Sequence, residues 1–283
     1  MTQFTIAGLQ LDLQTRQNLD LFSQKVRSTV KRFPFVQMIV TSELAICGAG
    51  VGFASPMLEE AEATLCNLAQ ELEIWLVPGS LYERQANKVY NTAPVINPEG
   101  EVISRFRKIC PFLPYEKGVE GGADICCFDV PDVGRFGLYI CYDMWFPELS
   151  RAMILDGAEV IIHPTLTDTC DRSVEKAMCR ATAAQQQCYM VDINGTGALG
   201  VGQSIIVGPE GDVIHEALAG EEVILFEADL TRVRRTRERG ILSLGQPLKS
   251  YRDTVMDKTQ YQPSDKHSFL STLGPLSIPT KAG

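Results

Sequence analysis

Two β-hairpins in this sequence turn at the same tripeptide, Pro-Glu-Gly, once at residues 98–100 and again at residues 209–211. Each hairpin is flanked by short apolar runs that alternate with segments of helical periodicity, a pattern typical of stacked β and α layers. We therefore expect two similar sheets that pack face to face with helices outside. No linker rich in Gly, Ser or Pro separates the halves, so residues 1–283 are predicted to form a single domain.

The predicted elements follow this alternation along the chain. Strands are expected at residues 4–11, 36–42, 75–82, 158–163 and 188–194, and helices at residues 16–33, 56–73, 146–155 and 172–187. Hairpins are expected over residues 88–107 and 203–216, with a further strand pair at 128–130 and 135–141. Residues 240–283 contain few apolar runs, so we expect a C-terminal tail that contacts a partner subunit, with disorder as the alternative.

The balance of charge argues against nucleic acid as a partner. The chain has 35 Asp and Glu residues but only 26 Lys and Arg residues, a net charge of −9 that opposes binding to a phosphate backbone. One basic run places five arginines between Arg232 and Arg239. Because the run contains Glu238 and no aromatic residue, we interpret it as a solvated or subunit-contacting segment.

Cysteine and histidine usage predicts a reducing compartment and no metal. The nine cysteines are odd in number and irregularly spaced, and the chain starts without a charged-then-apolar signal segment, so a cytoplasmic location is expected. Zinc needs clustered ligands, whereas no Cys-x-x-Cys pair occurs and the histidines are scattered: His163, His215 and His267. No apolar stretch approaches the roughly 20 residues that cross a bilayer, so no membrane segment is expected.

Three polar residues stand where predicted strands end. Glu43 follows VQMIVTS, Lys108 follows ISRFR, and Cys141 follows FGLYI. The carboxyl ends of strands are where α/β sheets place ligands. Each residue alone also fits a simpler interpretation, because a Glu or Lys after a strand is often a solvated loop residue and a Cys in a strand is often inert packing.

The sequence around Cys141 favours a nucleophile. The run GLYICYDMWFPELSRAMIL passes from strand to helix through a short turn, which places the thiol near helix N–H groups that favour a thiolate. A thiolate needs a proton acceptor and a group that stabilises the oxyanion it creates. No histidine lies in a motif like that of papain-like enzymes, and Glu43 and Lys108 fit these two roles better.

These motifs resemble the nitrilase, or carbon–nitrogen hydrolase, superfamily, whose members use a Glu-Lys-Cys triad. The resemblance runs from about Phe4 to about Arg239 and rests on TSELAICG around Glu43, SRFRKICPF around Lys108 and GLYICYDMWFPEL around Cys141. It implies an α/β fold built as a four-layer α-β-β-α sandwich of two mixed sheets. It also implies no cofactor, and a homodimer or higher homo-oligomer.

A fourth match concerns Glu116, which lies eight residues after Lys108. Aliphatic amidases and formamidases of this superfamily carry a second glutamate at that separation. The nucleophile motif CYDMWFPE is more similar to the carbamoyl-amide and omega-amidase branches, and the tail is shorter than that of aliphatic amidases. A surface loop residue is the alternative for Glu116.

The resemblance implies hydrolysis of a small amide to acid and ammonia through a cysteine thioester. Glu43 would take the thiol proton and Cys141 would attack the carbonyl carbon. Lys108 and the backbone N–H of Tyr142 would stabilise the oxyanion, and Glu116 would orient the substrate nitrogen. Hydrolysis of an N-carbamoyl group or of a nitrile shares the same triad. A non-catalytic binding protein on this fold would be expected to lack one of the three residues.

The remaining candidates surround the nucleophile and the lysine. Phe112, Tyr142 and Trp145 fall within four residues of proposed catalytic positions, so we expect them to wall the substrate pocket, with core packing as the alternative for Trp145. His163 ends a predicted strand at the same sheet edge. We interpret it as a hydrogen-bonded structural residue.

Overall fold

The structure is a computed structural model that describes residues 3–254 and 275–278. Its strands are β1 (Gln3–Gln10), β2 (Asp12–Leu13), β3 (Met38–Thr41), β4 (Trp75–Val77), β5 (Leu81–Gln85), β6 (Lys88–Ile96), β7 (Val102–Arg107), β8 (Cys126–Val130), β9 (Gly134–Leu138), β10 (Val160–Thr165), β11 (Tyr189–Asn194), β12 (Thr196–Gly197), β13 (Ile205–Val207), β14 (Val213–Glu216) and β15 (Glu222–Asp229). Its helices are α1 (Leu19–Arg32), α2 (Leu58–Leu72), α3 (Pro147–Leu155), α4 (Arg172–Gln186), α5 (Leu230–Arg239) and α6 (Pro247–Asp253).

The strands form two large mixed sheets. Sheet 1 has the order β15-β1-β3-β4-β6-β5, with β7 paired to β6, and sheet 2 has the order β14-β13-β11-β10-β9-β8. In sheet 1, β1 runs parallel to β3 and antiparallel to β15, and in sheet 2, β10 runs parallel to both β9 and β11. The short strands β2 and β12 pair separately.

Alternation along the central strands builds the layers, because successive side chains of a strand point to opposite faces. In β3, Met38 and Val40 join the core shared with sheet 2, whereas Ile39 between them packs in the cluster that contains α1 and α2. Aromatic rings bridge the sheets, with the centroids of Phe4 and Phe136 5.7 Å apart. The predicted four-layer α-β-β-α sandwich of two mixed sheets is confirmed.

One predicted strand is wrong in a way that matters for the site. Residues 75–82 form two strands, β4 and β5, because the chain turns at Gly79 with φ +74°. A Cβ atom at Gly79 would lie 1.7 Å from the carbonyl oxygen of Ser42, so only glycine allows this approach to the residue before Glu43. The prediction also missed β15, although its sequence EVILFEAD alternates in burial as an edge strand does.

Ion pairs and a cation–ring contact hold the segment after β15 against the rest of its own chain. In α5, which contains the basic run, Arg232 pairs with Asp212 and Arg234 pairs with Glu159. The Tyr251 ring of α6 packs against α3, where the guanidinium of Arg151 lies 4.8 Å from the ring centroid.

Most of the predicted tail lies outside the described residues, which include only 240–254 and 275–278 of it. The partner contact of the tail and the single-domain organisation stay predictions. Within the part of the chain that the structure describes, no helix has the length and apolar character needed to cross a membrane.

Candidate active site

The carboxyl ends of strands from both sheets meet at one cavity. Glu43 follows β3 and Lys108 follows β7 of sheet 1, while Cys141 follows β9 of sheet 2. The backbone N–H of Glu43 donates to the carbonyl of Thr165 at the end of β10, which ties the two sheets together at this edge. Glu43, Lys108, Glu116 and Cys141 all line a cavity of about 600 Å³.

Three side chains that line this cavity and one that contacts them form a connected group that we call the pocket cluster: Glu43, Lys108 and Glu116, with Asn91. The Lys108 ammonium lies 2.8 Å from Glu43 Oε1 and 2.7 Å from Glu116 Oε2. From β6, Asn91 Nδ2 donates to Glu43 Oε1 at 2.8 Å and to Glu116 Oε1 at 3.2 Å. The structure therefore brings the three predicted residues of this cluster together around one ammonium.

The charge state of Lys108 follows from its neighbours. Burial alone lowers the pKa of a lysine, but the charges of Glu43, Cys141 and Glu116 together raise the pKa of Lys108 well above its usual value. Lys108 therefore remains an ammonium group at neutral pH. In that form it can donate hydrogen bonds to developing negative charge, and it cannot act as the base.

Cys141 opens a five-residue 3-10 turn, Cys141–Trp145, and has a φ of +47°. This left-handed conformation costs a non-glycine residue about 1–2 kcal/mol, so the surroundings must hold it. Asp143 contributes, because its carboxylate accepts from the N–H of Ile140 at 3.1 Å and from that of Cys110 at 2.8 Å. Burial raises the pKa of Asp143 to about 6.

The surroundings of Cys141 disfavour a thiolate before a base acts. Burial and the charge of Glu43 raise the pKa of the Cys141 thiol well above its usual value, and the opposing effect of Lys108 is smaller. Helix α3 begins only at Pro147, so the thiol does not sit at the end of a full helix. The thiol must therefore lose its proton to a base when it reacts.

Aromatic side chains form one wall of the cavity. The Phe112 and Tyr142 rings lie 4.9 Å apart and the Tyr142 and Trp145 rings 5.9 Å apart, measured between centroids. All three predicted pocket residues line the cavity, together with Tyr115 and Tyr82, which the sequence analysis missed.

A second charged group lies behind the nucleophile, and we call it the support cluster: His163, Arg172, Glu175 and Asp192. His163 Nδ1 lies 2.7 Å from Asp192 Oδ2, and Nε2 lies 3.0 Å from the carbonyl oxygen of Cys141. Arg172 contacts both oxygens of Asp192 and lies 3.2 Å from Glu175. Burial raises the pKa of Asp192, but Arg172 and His163 outweigh it and hold that pKa well below its usual value.

One group of residues in the described chain has the composition of a metal site. Potential ligand atoms of His163, Cys179 and Asp192 all lie within 4.8 Å of one another. The Arg172 guanidinium already contacts both Asp192 oxygens, so a metal ion would have to compete with a buried cation. The ion pair accounts for this arrangement.

The sequence analysis missed Asn91, Glu175 and Asp192. Asn91 and Asp192 each interrupt an apolar strand, in KVYNTAPVI and YMVDIN, and that polar residue was the available signal. Glu175 lies on α4 and reaches the cavity wall, where it accepts from the hydroxyl of Thr167 at 2.7 Å.

Two mixed sheets with a Glu, a Lys and a Cys at one cavity define a nitrilase-like hydrolase. The family model for carbon–nitrogen hydrolases matches residues 5–238, so the chain belongs to this family. The resemblance found from the motifs is confirmed, and the protein is a carbon–nitrogen hydrolase.

The chain is similar to named amidases. It is 26% identical over 266 residues to the omega-amidase NIT2 of Homo sapiens, a match that covers 84% of this chain and 93% of the relative. It is 30% identical over 193 residues to the deaminated glutathione amidase of Bos taurus, covering 61% of this chain and 58% of that protein. The crystal structure of Saccharomyces cerevisiae Nit3, a member of branch 10 of the nitrilase superfamily, matches with a TM-score of 0.73 at 26% identity, covering 84% of this chain and 94% of that chain.

Proposed function

We propose that this protein hydrolyses a small amide to a carboxylic acid and ammonia through a thioester on Cys141. The observation that carries the proposal is the Lys108 ammonium held between the Glu43 and Glu116 carboxylates in the cavity that Cys141 also lines. This arrangement offers a nucleophile, a base and a fixed cation without a histidine.

The first half of the reaction forms the thioester. Glu43 accepts the thiol proton as the sulfur of Cys141 bonds to the amide carbon. The oxyanion that results accepts hydrogen bonds from the Lys108 ammonium and from the backbone N–H of Tyr142. When the C–N bond breaks, Glu43 returns the proton to the leaving nitrogen, and ammonia departs.

The second half regenerates the enzyme. Glu43 accepts a proton from a water molecule, whose oxygen bonds to the thioester carbon, and the same two donors hold the second oxyanion. The C–S bond then breaks, the sulfur of Cys141 recovers its proton and the carboxylic acid leaves. No metal or organic cofactor takes part in these steps.

The cavity supports a small substrate. Its volume is about 600 Å³, and Phe112, Tyr142 and Trp145 offer an apolar surface beside the reacting atoms. Because relatives of this chain are named omega-amidases, ω-amides are the first compounds to test. N-carbamoyl compounds and nitriles are the alternative substrates, because their hydrolysis would use the same cysteine nucleophile and the same lysine.

Measurement of ammonia release tests the proposal. We expect turnover within a panel of ω-amides, short aliphatic amides, N-carbamoyl amino acids and short nitriles, with an amide as the best substrate. Cys141→Ala should abolish it, because no other nucleophile is proposed, while Cys66→Ala on α2 should behave as the wild type. Acid quench and mass spectrometry should find an acyl group on Cys141. An adduct on another cysteine, or full activity of Cys141→Ala, contradicts the proposal.

We also propose a homodimer or larger homo-oligomer, as the resemblance to the superfamily implies. Light scattering of the purified protein measures the mass directly. A monomeric mass across the working concentrations contradicts this proposal.

A further inference from the structure

The peptide bond between Cys141 and Tyr142 joins the proposed oxyanion site to the support cluster. Its carbonyl oxygen accepts from His163 Nε2 at 3.0 Å, on the side away from the cavity. Its N–H belongs to Tyr142, which lines the cavity, and it donates to no protein acceptor among residues 3–254 and 275–278. The peptide is trans, so its C=O and N–H point in opposite directions.

The hydrogen-bond partners of His163 show which atoms carry protons. Nδ1 faces Asp192 Oδ2 at 2.7 Å, and Nε2 faces the Cys141 carbonyl. Arg172 contacts both oxygens of Asp192 and keeps that side chain a carboxylate. Because a carbonyl oxygen only accepts, Nε2 is the donor in the hydrogen bond between the His163 ring and the Cys141 carbonyl.

We propose that His163 is a positioning residue for the oxyanion site, acting through the peptide bond between Cys141 and Tyr142. By donating to the carbonyl, the ring fixes the plane of this peptide so that the Tyr142 N–H points into the cavity. A donor on the carbonyl also polarises the peptide and strengthens its N–H as a donor. This inference rests on the proposed function, because it concerns the oxyanion that amide hydrolysis creates.

The conformation of Cys141 explains why such a hold is needed. With φ at +47°, the residue sits in a sparsely populated region from which the adjoining peptide can rotate away. Rotation of the peptide by half a turn would exchange the two groups and present the carbonyl oxygen to the oxyanion. A buried donor beneath the carbonyl disfavours that rotation.

Two substitutions of His163 separate its two hydrogen bonds. In His163→Asn the amide nitrogen takes the place of Nδ1, so the contact with Asp192 is kept and the bond to the carbonyl is lost. In His163→Gln the amide nitrogen takes the place of Nε2, so the bond to the carbonyl is kept. Both replacements are neutral and polar, which makes each variant the control for the other.

The readout compares amide turnover with alkylation of Cys141 by iodoacetamide. Alkylation needs the thiolate but forms no oxyanion at a carbonyl. We expect His163→Asn to lose turnover by about 10²-fold, as loss of one oxyanion donor does, and His163→Gln to stay within about fivefold of the wild type. Alkylation should change by less than about threefold in both, because the thiol and its base are untouched.

Several results overturn the inference. Equal turnover of the two variants means that the bond to the carbonyl does not matter, and a parallel fall in alkylation means that His163 positions the thiol instead. If circular dichroism shows that His163→Asn does not fold, His163→Gln decides alone, because a 100-fold loss with unchanged alkylation contradicts the role of the retained donor. A wild-type protein that hydrolyses no compound of the panel overturns the proposed function and this inference together, whereas an active wild type with equal variants overturns only the inference.

Discussion

Two buried charged groups flank the nucleophile, and they differ in balance and in access. In the pocket cluster, the two carboxylates of Glu43 and Glu116 share one ammonium, so one negative charge is left over. In the support cluster, the Arg172 guanidinium pairs with the Asp192 carboxylate one to one, and burial raises the pKa of Glu175, so the charges can balance.

The difference teaches what each group can do. A carboxylate without a full counter-charge, beside a cavity, can accept a proton from a thiol or a water molecule. In the support cluster, the His163 and Asp192 side chains have 0% exposure, so they do not meet a substrate and their hydrogen bonds hold geometry, while Glu175 at the cavity wall accepts from the Thr167 hydroxyl. The pocket cluster is therefore equipped for proton transfer, and the support cluster is equipped to hold the conformation of the turn at Cys141.

Lys108→Met should have the largest effect because it removes the only cation of the pocket cluster. One oxyanion donor is typically worth about 10²–10³-fold in turnover, and here the loss also leaves the Glu43 and Glu116 carboxylates without the ammonium between them. We expect turnover to fall by about 10³-fold or more at saturating substrate, as measured by ammonia release.

A matched control is Lys25→Met, which breaks an exposed lysine–glutamate pair with Glu221. Such a pair contributes about 0–1 kcal/mol, so turnover should be unchanged. Normal turnover of Lys108→Met with a raised KM would instead mean that Lys108 binds substrate without stabilising the oxyanion.

Arg172→Met should lower the stability of the fold more than it lowers turnover. It removes the guanidinium partner of the buried Asp192, and loss of one member of a buried ion pair costs about 3–5 kcal/mol of unfolding free energy. The reactive groups stay in place, so turnover per folded molecule should fall by less than about tenfold. Urea unfolding and ammonia release measure the two quantities on one preparation.

The control for this variant is Arg27→Met, whose exposed partner is Glu71 and which should change stability by less than about 1 kcal/mol. If Arg172→Met unfolds at the wild-type urea concentration but loses turnover as Lys108→Met does, the support cluster is part of the chemistry and the comparison fails.

The sequence was sufficient for Glu43 and Lys108 of the pocket cluster and for Cys141, because their signal is local, whereas Asn91 was missed and Glu116 came from a family resemblance. Glu43, Lys108 and Cys141 each follow an apolar run, and the rule that strand carboxyl ends gather ligands places such residues at one edge. The four-layer fold followed in the same way, from strand–helix alternation and a repeated hairpin turn.

The support cluster could not be predicted from the sequence, because its members come from three separate elements and no regular spacing along the chain connects them. His163 lies on β10, Arg172 on α4 and Asp192 on β11, and only the packing of α4 across sheet 2 joins them. The pKa of the Cys141 thiol could not be predicted from the sequence for a related reason. The sequence shows a turn toward a helix, but the burial that raises the pKa of Cys141 is a property of the assembled cavity.

Glu116→Gln is the most conservative of these substitutions, and it tests whether the surplus charge of the pocket cluster matters. Every protein group that contacts the Glu116 carboxylate is a donor. Oε2 accepts from Lys108 Nζ at 2.7 Å and from the N–H of Phe112 at 2.6 Å, and Oε1 accepts from Asn91 Nδ2 at 3.2 Å. A glutamine of the same size must turn its NH₂ group toward one of these donors, and it brings no charge.

We therefore expect Glu116→Gln to lower amide turnover by about 10²-fold through misplaced orientation of the substrate and of Lys108, while Cys141 still reacts with iodoacetamide. Glu120→Gln, four residues along the same loop and paired with the exposed Lys88, should keep wild-type turnover. A nitrile has no amide N–H pair to orient, so nitrile turnover should fall less than amide turnover. If Glu116→Gln hydrolyses amides at the wild-type rate, the base needs only Glu43, and the surplus carboxylate that distinguishes the pocket cluster from the support cluster has no role in the reaction.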